Sequence, residues 1–194
     1  MKQHVVPARY YKGMSQIVLR FFAIAVFAIL VAGGVAAILM KLFPRAEIGP
    51  SLHFPSAFMA STGLLLAGSI SIELALGYIR HEKQTLFLRW MSIALLVGAG
   101  FMGVQTFALW SMFPEHRSPE DASLESTAFA LALAALHALH FFVAVLFVSW
   151  VTARSWSHRY DHEYHWGVKF CARFWHALGI VWMAILLVFF IAST

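Results

Sequence analysis

The sequence predicts an all-α membrane protein, built as a bundle of five transmembrane helices. Of its 194 residues, 61% are hydrophobic and only 12% are charged, and the mean hydropathy is +0.75. A soluble domain of this size cannot bury so much apolar surface, so the chain needs the bilayer as its solvent. The apolar runs are continuous rather than alternating, which favours helices over the strands of a membrane barrel.

Five nearly uncharged stretches reach the roughly 20 residues that are needed to cross a ~30 Å hydrocarbon layer. They are Phe21–Met40, Phe54–Ile79, Trp90–Phe113, Ser126–Ala153 and Phe174–Thr194. The first is too long for the core of a signal peptide and no clear cleavage site follows it, so it is interpreted as a helix. With their flanking residues, the stretches predict helices at about 17–42, 54–80, 87–113, 125–154 and 168–193. Since the connections are short, the helices are expected to form a single transmembrane domain over residues 1–194.

The distribution of basic residues predicts a cytoplasmic N-terminus and an outside C-terminus. Eleven of the 14 Lys and Arg residues fall in the N-terminal tail and in the second and fourth connections. Only Lys41, Arg45 and Arg117 fall on the other side. Basic residues accumulate on the cytoplasmic side of membrane proteins. The net charge of +5 is therefore interpreted as a topology signal and not as a surface for binding nucleic acid.

Few polar side chains interrupt the apolar stretches, and these are the candidates for structural or functional roles. The sequence has no Walker loop, no Gly-rich dinucleotide fingerprint and no CxxC, HExxH or GxSxG motif. The polar positions within the membrane are Glu73, Gln105, His137, His140 and His176, and His176 is accompanied by the indoles of Trp175 and Trp182.

Histidines on two spans suggest a b-type haem, with His140 and His176 as the iron ligands. However, His140 is expected ~18 Å from the inner end of its helix and His176 only ~5–9 Å, at 1.5 Å per residue. Two ligands of one iron should lie nearly level, so interhelical hydrogen bonding is the preferred interpretation of these histidines. His137 and His140 are three residues apart and are expected to share a helix face. The chain is expected to bind no haem or metal itself.

A second group of histidines follows the fourth span. His158, His162 and His165 lie close in sequence to Asp161 and Glu163. Because a metal site needs ligands fixed in geometry, this loop is predicted to be a solvated, weakly proton-buffering surface.

Small residues predict close helix packing. Gly63 and Gly68 in the second span and Gly98, Gly100 and Gly103 in the third are expected to let these two helices approach each other.

Four segments follow the pattern of one known family. In "HWGVKFCARFWHALGIVW", the spacing from Gly167 to Trp175–His176 and on to Trp182 matches the end of that pattern. The segment "STAFALALAALHALHFFVAVLF" is similar to its TGxHGLH helix, "LLVGAGFMGVQ" to its LGxxFxxxQ helix, and "GLLLAGSIS" to a Leu- and Ser-rich helix. In this order the segments resemble subunit III of the haem-copper oxygen reductases, the cytochrome c oxidase family. The resemblance covers about residue 54 to the C-terminus, and five helices correspond to the short bacterial form of that subunit.

The chain departs from the family pattern at its acidic positions. The usual Glu of the first core helix is missing from "RFFAIAVFAILVAGGV", and the Asp of the family's W-H-F-V-D-V-V-W motif is Gly179. The Glu that often follows the Gln of the third helix is Ala108, and the glycine between the paired histidines is Ala138. A proton-handling role is therefore not carried over from the family to these positions.

The resemblance implies a non-catalytic subunit of a haem-copper terminal oxidase, without an active site of its own, in the bacterial inner membrane. In that family, subunit III carries no haem or copper, packs against catalytic subunit I and other membrane subunits, and binds phospholipid. It is thought to support proton uptake and oxygen access. Two alternatives remain: an accessory subunit of a nitric oxide reductase, and a free-standing b-type membrane cytochrome.

Glu73 is the only acid within the five apolar stretches. It is expected ~9 Å from the inner end of its helix, close to the level of His176. Because an isolated carboxylate at that depth is costly, we expect Glu73 to hydrogen-bond His176 or another polar group, compensating for the Asp that is missing at Gly179. The alternative is that Glu73 is protonated or reaches the membrane interface.

Overall fold

Five helices make up the structure, a computed structural model that describes residues 8–43, 56–112, 124–157 and 165–192. The helices are α1 (Ala8–Leu42), α2 (Ser56–Arg80), α3 (Gln84–Met112), α4 (Leu124–Ser155) and α5 (Trp166–Ala192). Each contains a segment of 21 to 28 residues that is long and apolar enough to cross a membrane. Within the described ranges every regular element is a helix, so the expected all-α protein with five membrane-spanning helices is confirmed.

The largest difference from the expected boundaries is at the start of α1. This helix begins at Ala8, whereas the sequence predicted a start near residue 17. The apolar, span-like part begins only at Gln16. Hydropathy therefore marks where the helix enters the membrane, while the backbone hydrogen bonding continues for about two more turns through polar residues.

A tight turn of three residues joins α2 to α3. Glu82 has a positive φ of 57°, and its N–H donates to the carbonyl of Ile79 at 3.2 Å. The N–H of Lys83 donates to the carbonyl of Tyr78 at 3.0 Å. These two bonds form a Schellman motif, which satisfies the last carbonyls of α2 with a glutamate in the left-handed position that glycine usually occupies. The turn fixes α2 and α3 as an antiparallel pair.

The packing order places α3 at the centre of the bundle. It contacts α1, α2 and α4, whereas α5 packs against α2 and α4. The largest fully buried side chains are aromatic and come from α2, α3, α4 and α5; they include Trp175, Trp182, Phe58, Phe87, Phe101 and Phe141. The indoles of Trp175 and Trp182 on α5 are thus core residues.

Glycines on α2 and α3 make room for one of these indoles. A Cβ added at Gly68 would lie 2.5 Å from Cζ2 of Trp175, and a Cβ added at Gly98 would lie 3.0 Å from its Cη2. The helices α2 and α3 do pack against each other, as expected, but the space beside these two glycines is occupied by a side chain of α5.

The remaining glycines of the two spans differ among themselves. A Cβ at Gly103 would lie 2.6 Å from the carbonyl oxygen of Ala32, so this glycine admits α1 and not α2. Nothing lies within 4 Å of a Cβ placed at Gly63, and a Cβ at Gly100 would make only an ordinary contact with Leu64 of α2, at 3.9 Å. A small residue indicates that space is available beside its helix. Its position in the sequence does not indicate which neighbouring helix fills that space.

Candidate functional site

Polar contacts between α2 and α5 hold the two buried indoles of α5, Trp175 and Trp182, in place. Trp175 is 1% exposed, and its Nε1–H donates to the carbonyl oxygen of Leu65 at 3.4 Å. The Nε1–H of Trp182 donates to Oγ1 of Thr62 at 3.2 Å. Thr62 in turn donates its hydroxyl proton to the carbonyl of Phe58 at 2.7 Å. Both indole donors are therefore satisfied by α2, as buried Trp requires.

Trp182 is also the centre of an aromatic cluster that joins four helices. The imidazole of His137 (α4) stacks on its ring, with centroids 5.1 Å apart and an interplanar angle of 18°. Phe58 (α2) and Phe101 (α3) meet the indole edge-on, at 5.5 Å and 6.4 Å. Offset and edge-on geometries of this kind add to the stability that burial gives.

Glu73 and His176 form a hydrogen-bonded pair across the same two helices. The Nε2 atom of His176 lies 2.9 Å from Oε1 of Glu73. The predicted bond between the only acid of the apolar stretches and His176 is therefore confirmed. The pair lies on the lateral surface of the bundle, with side chains that are 35% exposed for His176 and 55% exposed for Glu73.

Within the part of the chain that the structure describes, the paired histidines of α4 do not form the interhelical hydrogen bonds that were expected. His137 is 3% exposed and His140 is exposed, and Nδ1 of His140 bonds to the carbonyl of Leu136 in its own helix at 2.7 Å. The two histidines were expected to share a helix face and one environment, and this is wrong. A spacing of three residues turns their side chains about 60° apart around the helix. Here that angle separates the core from the surface.

Two buried polar side chains have no hydrogen-bond partner among the residues that the structure describes. They are Gln105, through both atoms of its amide, and His137, through Nε2. Gln105 is 2% exposed. Both residues were selected from the sequence as polar positions in the membrane, and the structure places each in the core rather than at an interhelical hydrogen bond.

The histidine group that follows the fourth span falls mostly outside the described residues. His158, Asp161, His162 and Glu163 lie there, whereas His165 precedes α5 and its carbonyl accepts the N–H of Lys169 at 3.1 Å. The prediction of a solvated surface stays a prediction.

Thr62 is the contact residue that sequence reasoning missed. It lies in "ASTGLLLAGS" between other small residues, and nothing in that pattern identifies it as the acceptor for an indole 120 residues away. The described contacts together perform two tasks: they fasten α5 to α2, and they present an acid–imidazole pair on the side of the bundle.

Comparisons with known proteins agree on one family. The family model for cytochrome c oxidase subunit III matches residues 39–194. The cytochrome c oxidase subunit 3 of Branchiostoma lanceolatum is 24% identical over 151 residues, covering 74% of this chain and 56% of the relative. The cytochrome bo(3) ubiquinol oxidase subunit 3 of Pseudomonas aeruginosa is 23% identical over 133 residues, covering 69% and 63%.

A probable quinol oxidase subunit 3 of Staphylococcus epidermidis is 27% identical over 124 residues, covering 64% of this chain and 61% of the relative. The chain thus spans about three fifths of the length of the relatives that it matches. Since the family model covers well over half of this chain, the chain belongs to the cytochrome c oxidase subunit III family.

Proposed function

We propose that the chain is the non-catalytic subunit III of a haem-copper terminal oxidase. In this role it packs against catalytic subunit I and stabilises it during oxygen reduction and proton translocation, while haem and copper are held by the partner subunits. The match of the family model over residues 39–194 carries the proposal. Relatives named as subunits of cytochrome c oxidases and quinol oxidases support it.

The use of polar groups in the described spans also supports a structural role. Hydrogen bonds of the indoles join α5 to α2. Hydroxyl groups return to the backbone of their own helix, as Ser149 does to the carbonyl of Val145 at 2.8 Å. The indole bonds stabilise helix packing in lipid, and the hydroxyl bonds satisfy polar groups within a single helix.

In this proposal the bundle lies in a bacterial inner membrane with its N-terminus in the cytoplasm. The basic residues support that orientation, because eleven of 14 fall on the side where α1 begins and α4 ends. Labelling of the connection around residues 115–125 tests this orientation, and we expect the connection to be outside. Almost all of it falls beyond the described residues.

Purification of the tagged chain from its native membranes in mild detergent tests the assignment. We expect a haem-copper catalytic subunit to co-purify, and the complex to show the Soret band of its haem. After stronger detergent separates the subunits, the band should leave with the catalytic subunit. A Soret band that stays with this chain would indicate a b-type cytochrome, and a nitric oxide reductase as the co-purifying enzyme would indicate the accessory alternative.

Phospholipid binding is a second part of the proposal, supported by an apolar groove between α1, α4 and α5. The groove has a volume of about 430 Å³ and is lined by seven apolar side chains, among them Phe21, Trp150 and Phe174. Arg20 lies next to Phe21 and donates to the carbonyl of Trp156 at 3.3 Å and to Oγ of Ser157 at 3.0 Å. An acyl chain fits the apolar lining, and the guanidinium would attract a lipid phosphate at the mouth.

A bulky residue in the groove tests the lipid proposal. Val143 lines the groove and is half exposed, and Val188, which is similarly exposed, does not line it. We expect Val143→Trp to lose one tightly bound phospholipid in native mass spectrometry, while Val188→Trp retains it. Equal lipid retention in the two variants would contradict the assignment of this groove.

A further inference from the structure

We propose that the Glu73–His176 pair marks the docking surface for a transmembrane helix of a neighbouring oxidase subunit, which brings a hydrogen-bond-donating side chain to the pair. The proposal rests on the proposed function, because the neighbour is a subunit of the same complex. We call this area the pair surface. It consists of Leu66, Ile70 and Glu73 on α2 with His176, Ile180 and Met183 on α5.

The pair surface is continuous across the two helices. Residues 66, 70 and 73, like residues 176, 180 and 183, are spaced by four and three positions and so form one stripe on each helix. The bond from His176 to Glu73 places the two stripes side by side. The apolar members are well exposed, at 61% for Ile70 and 72% for Ile180. An apolar helix can therefore pack against exposed apolar side chains of both α2 and α5.

The position of the pair conflicts with a surface covered by lipid alone. Both residues lie within membrane spans, Ala57–Arg80 and Trp166–Val188. Glu73 is seven residues before Arg80, or ~10 Å along the helix. Ionisable side chains inside a span almost always face the interior of a bundle or a water-filled cavity. His137 follows this rule, with 3% exposure, whereas the exposed imidazole of His140 bonds to the backbone of its own helix. Glu73 and His176 face away from the interior of this bundle, which indicates that they face the interior of a larger assembly.

The chemistry of the pair determines what the partner must bring. When the imidazole is neutral and its Nε2 carries the proton, Nε2–H donates to Oε1 of Glu73. The atoms left open are then Oε2 of Glu73 and Nδ1 of His176, and both are acceptors. A donor such as an amide, hydroxyl, indole, lysine or arginine side chain satisfies them. The phosphate of a lipid is itself an anionic acceptor and does not satisfy these atoms.

Photo-crosslinking in native membranes tests which molecule covers the pair surface. Ile70 and Ile180 are each replaced by p-benzoylphenylalanine, which leaves Glu73 and His176 unchanged. Leu30 of α1, which is 68% exposed, is replaced in the same way to show the adducts formed by exposure to lipid. We expect an adduct with another oxidase subunit at positions 70 and 180. Adducts with phospholipid alone at both positions would overturn the proposal.

Association measurements test the contribution of the polar contact. We expect Glu73→Leu to weaken retention of the chain by the oxidase roughly 3- to 15-fold in a detergent titration, the range of single polar contacts in membranes. Ile70→Trp adds bulk to an exposed side chain and should weaken retention without altering contacts inside the bundle. Leu30→Trp on α1 is the matched control. Retention by both pair-surface variants equal to that of Leu30→Trp would overturn the proposal.

The two proposals fail in different ways. If the unmodified chain does not co-purify with a haem-copper oxidase, the proposed function is wrong. If it co-purifies, but positions 70 and 180 yield only lipid adducts, the proposed function stands and the docking surface is wrong.

Discussion

Trp175 and His176 are neighbours in sequence, yet they lie on different faces of α5. The indole of Trp175 is 1% exposed and donates to α2, whereas the imidazole of His176 lies on the lateral surface beside Glu73. One residue step along a helix turns a side chain by about 100°. The indole of Trp175 therefore holds the bundle together, whereas the imidazole of His176 faces whatever surrounds the bundle.

The two faces differ in how completely their polar atoms are satisfied. On the inward face, the single donor of each indole has an acceptor on α2. On the lateral face, one bond joins two side chains that together have further hydrogen-bonding capacity. Substitutions on the inward face should therefore affect the stability of the bundle most, and substitutions on the lateral face should affect it less.

The largest effect is expected at Gly68, because its space is occupied by Trp175. Gly68→Ala places a Cβ 2.5 Å from the indole and should destabilise the bundle by about 1–3 kcal/mol, the usual cost of overpacking. Gly63→Ala on the same helix is the control, since nothing lies within 4 Å of its Cβ. Thermal denaturation of the purified complexes compares the two. Adding Trp175→Phe to Gly68→Ala should recover part of the loss, and equal melting temperatures for Gly63→Ala and Gly68→Ala would contradict the packing account.

Removal of the acceptor for Trp182 should have the next largest effect. Thr62→Val leaves the buried indole N–H without its partner, at a cost of about 1–2 kcal/mol. Thr106→Val is the matched control, because Thr106 is exposed and its one hydrogen bond to a described residue goes to the carbonyl of Met102 in its own helix, at 2.8 Å. We expect Thr62→Val alone to lower the melting temperature and to change the fluorescence of Trp182. Identical behaviour of the two variants would show that the indole bond adds nothing.

Variants of Glu73 examine the lateral face. Glu73→Gln keeps an amide oxygen that can accept from His176, whereas Glu73→Leu does not. The stability of the purified chain in detergent should therefore be higher for Gln than for Leu, by about 0.6–1.7 kcal/mol. Denaturation curves of the two variants provide the measurement. If Leu is as well tolerated as Gln, the pair does not stabilise the bundle.

The smallest effect is expected at Gln105, although it is almost completely buried. Its amide has no partner among the described residues, so Gln105→Met removes no hydrogen bond and should change stability by less than about 0.5 kcal/mol, or increase it. The variant is compared with the unmodified complex by thermal denaturation. A loss greater than about 1 kcal/mol would show that the amide is bonded in the assembled protein.

The sequence predicted the number of helices, and it predicted the Glu73–His176 bond from the cost of an unpaired acid at the estimated depth of His176. It did not predict which way side chains face. In a membrane span nearly every position is apolar, so periodicity gives little information on the buried face. For this reason the sequence did not separate buried His137 from exposed His140, or Gly68, which admits Trp175, from Gly63, where an added Cβ would have no neighbour within 4 Å.

The tight turn between α2 and α3 has a consequence for the synthesis of the protein. Three residues with a fixed backbone allow these helices to enter the membrane only as a hairpin, so Glu73 arrives with them. His176 is 103 residues further along the chain, which corresponds to a delay of about 5–20 seconds at ordinary elongation rates. During that interval the carboxyl group of Glu73 lacks the imidazole of His176, although an unpaired acid in the membrane is costly. The arrival of α5 then gives the carboxyl group its partner.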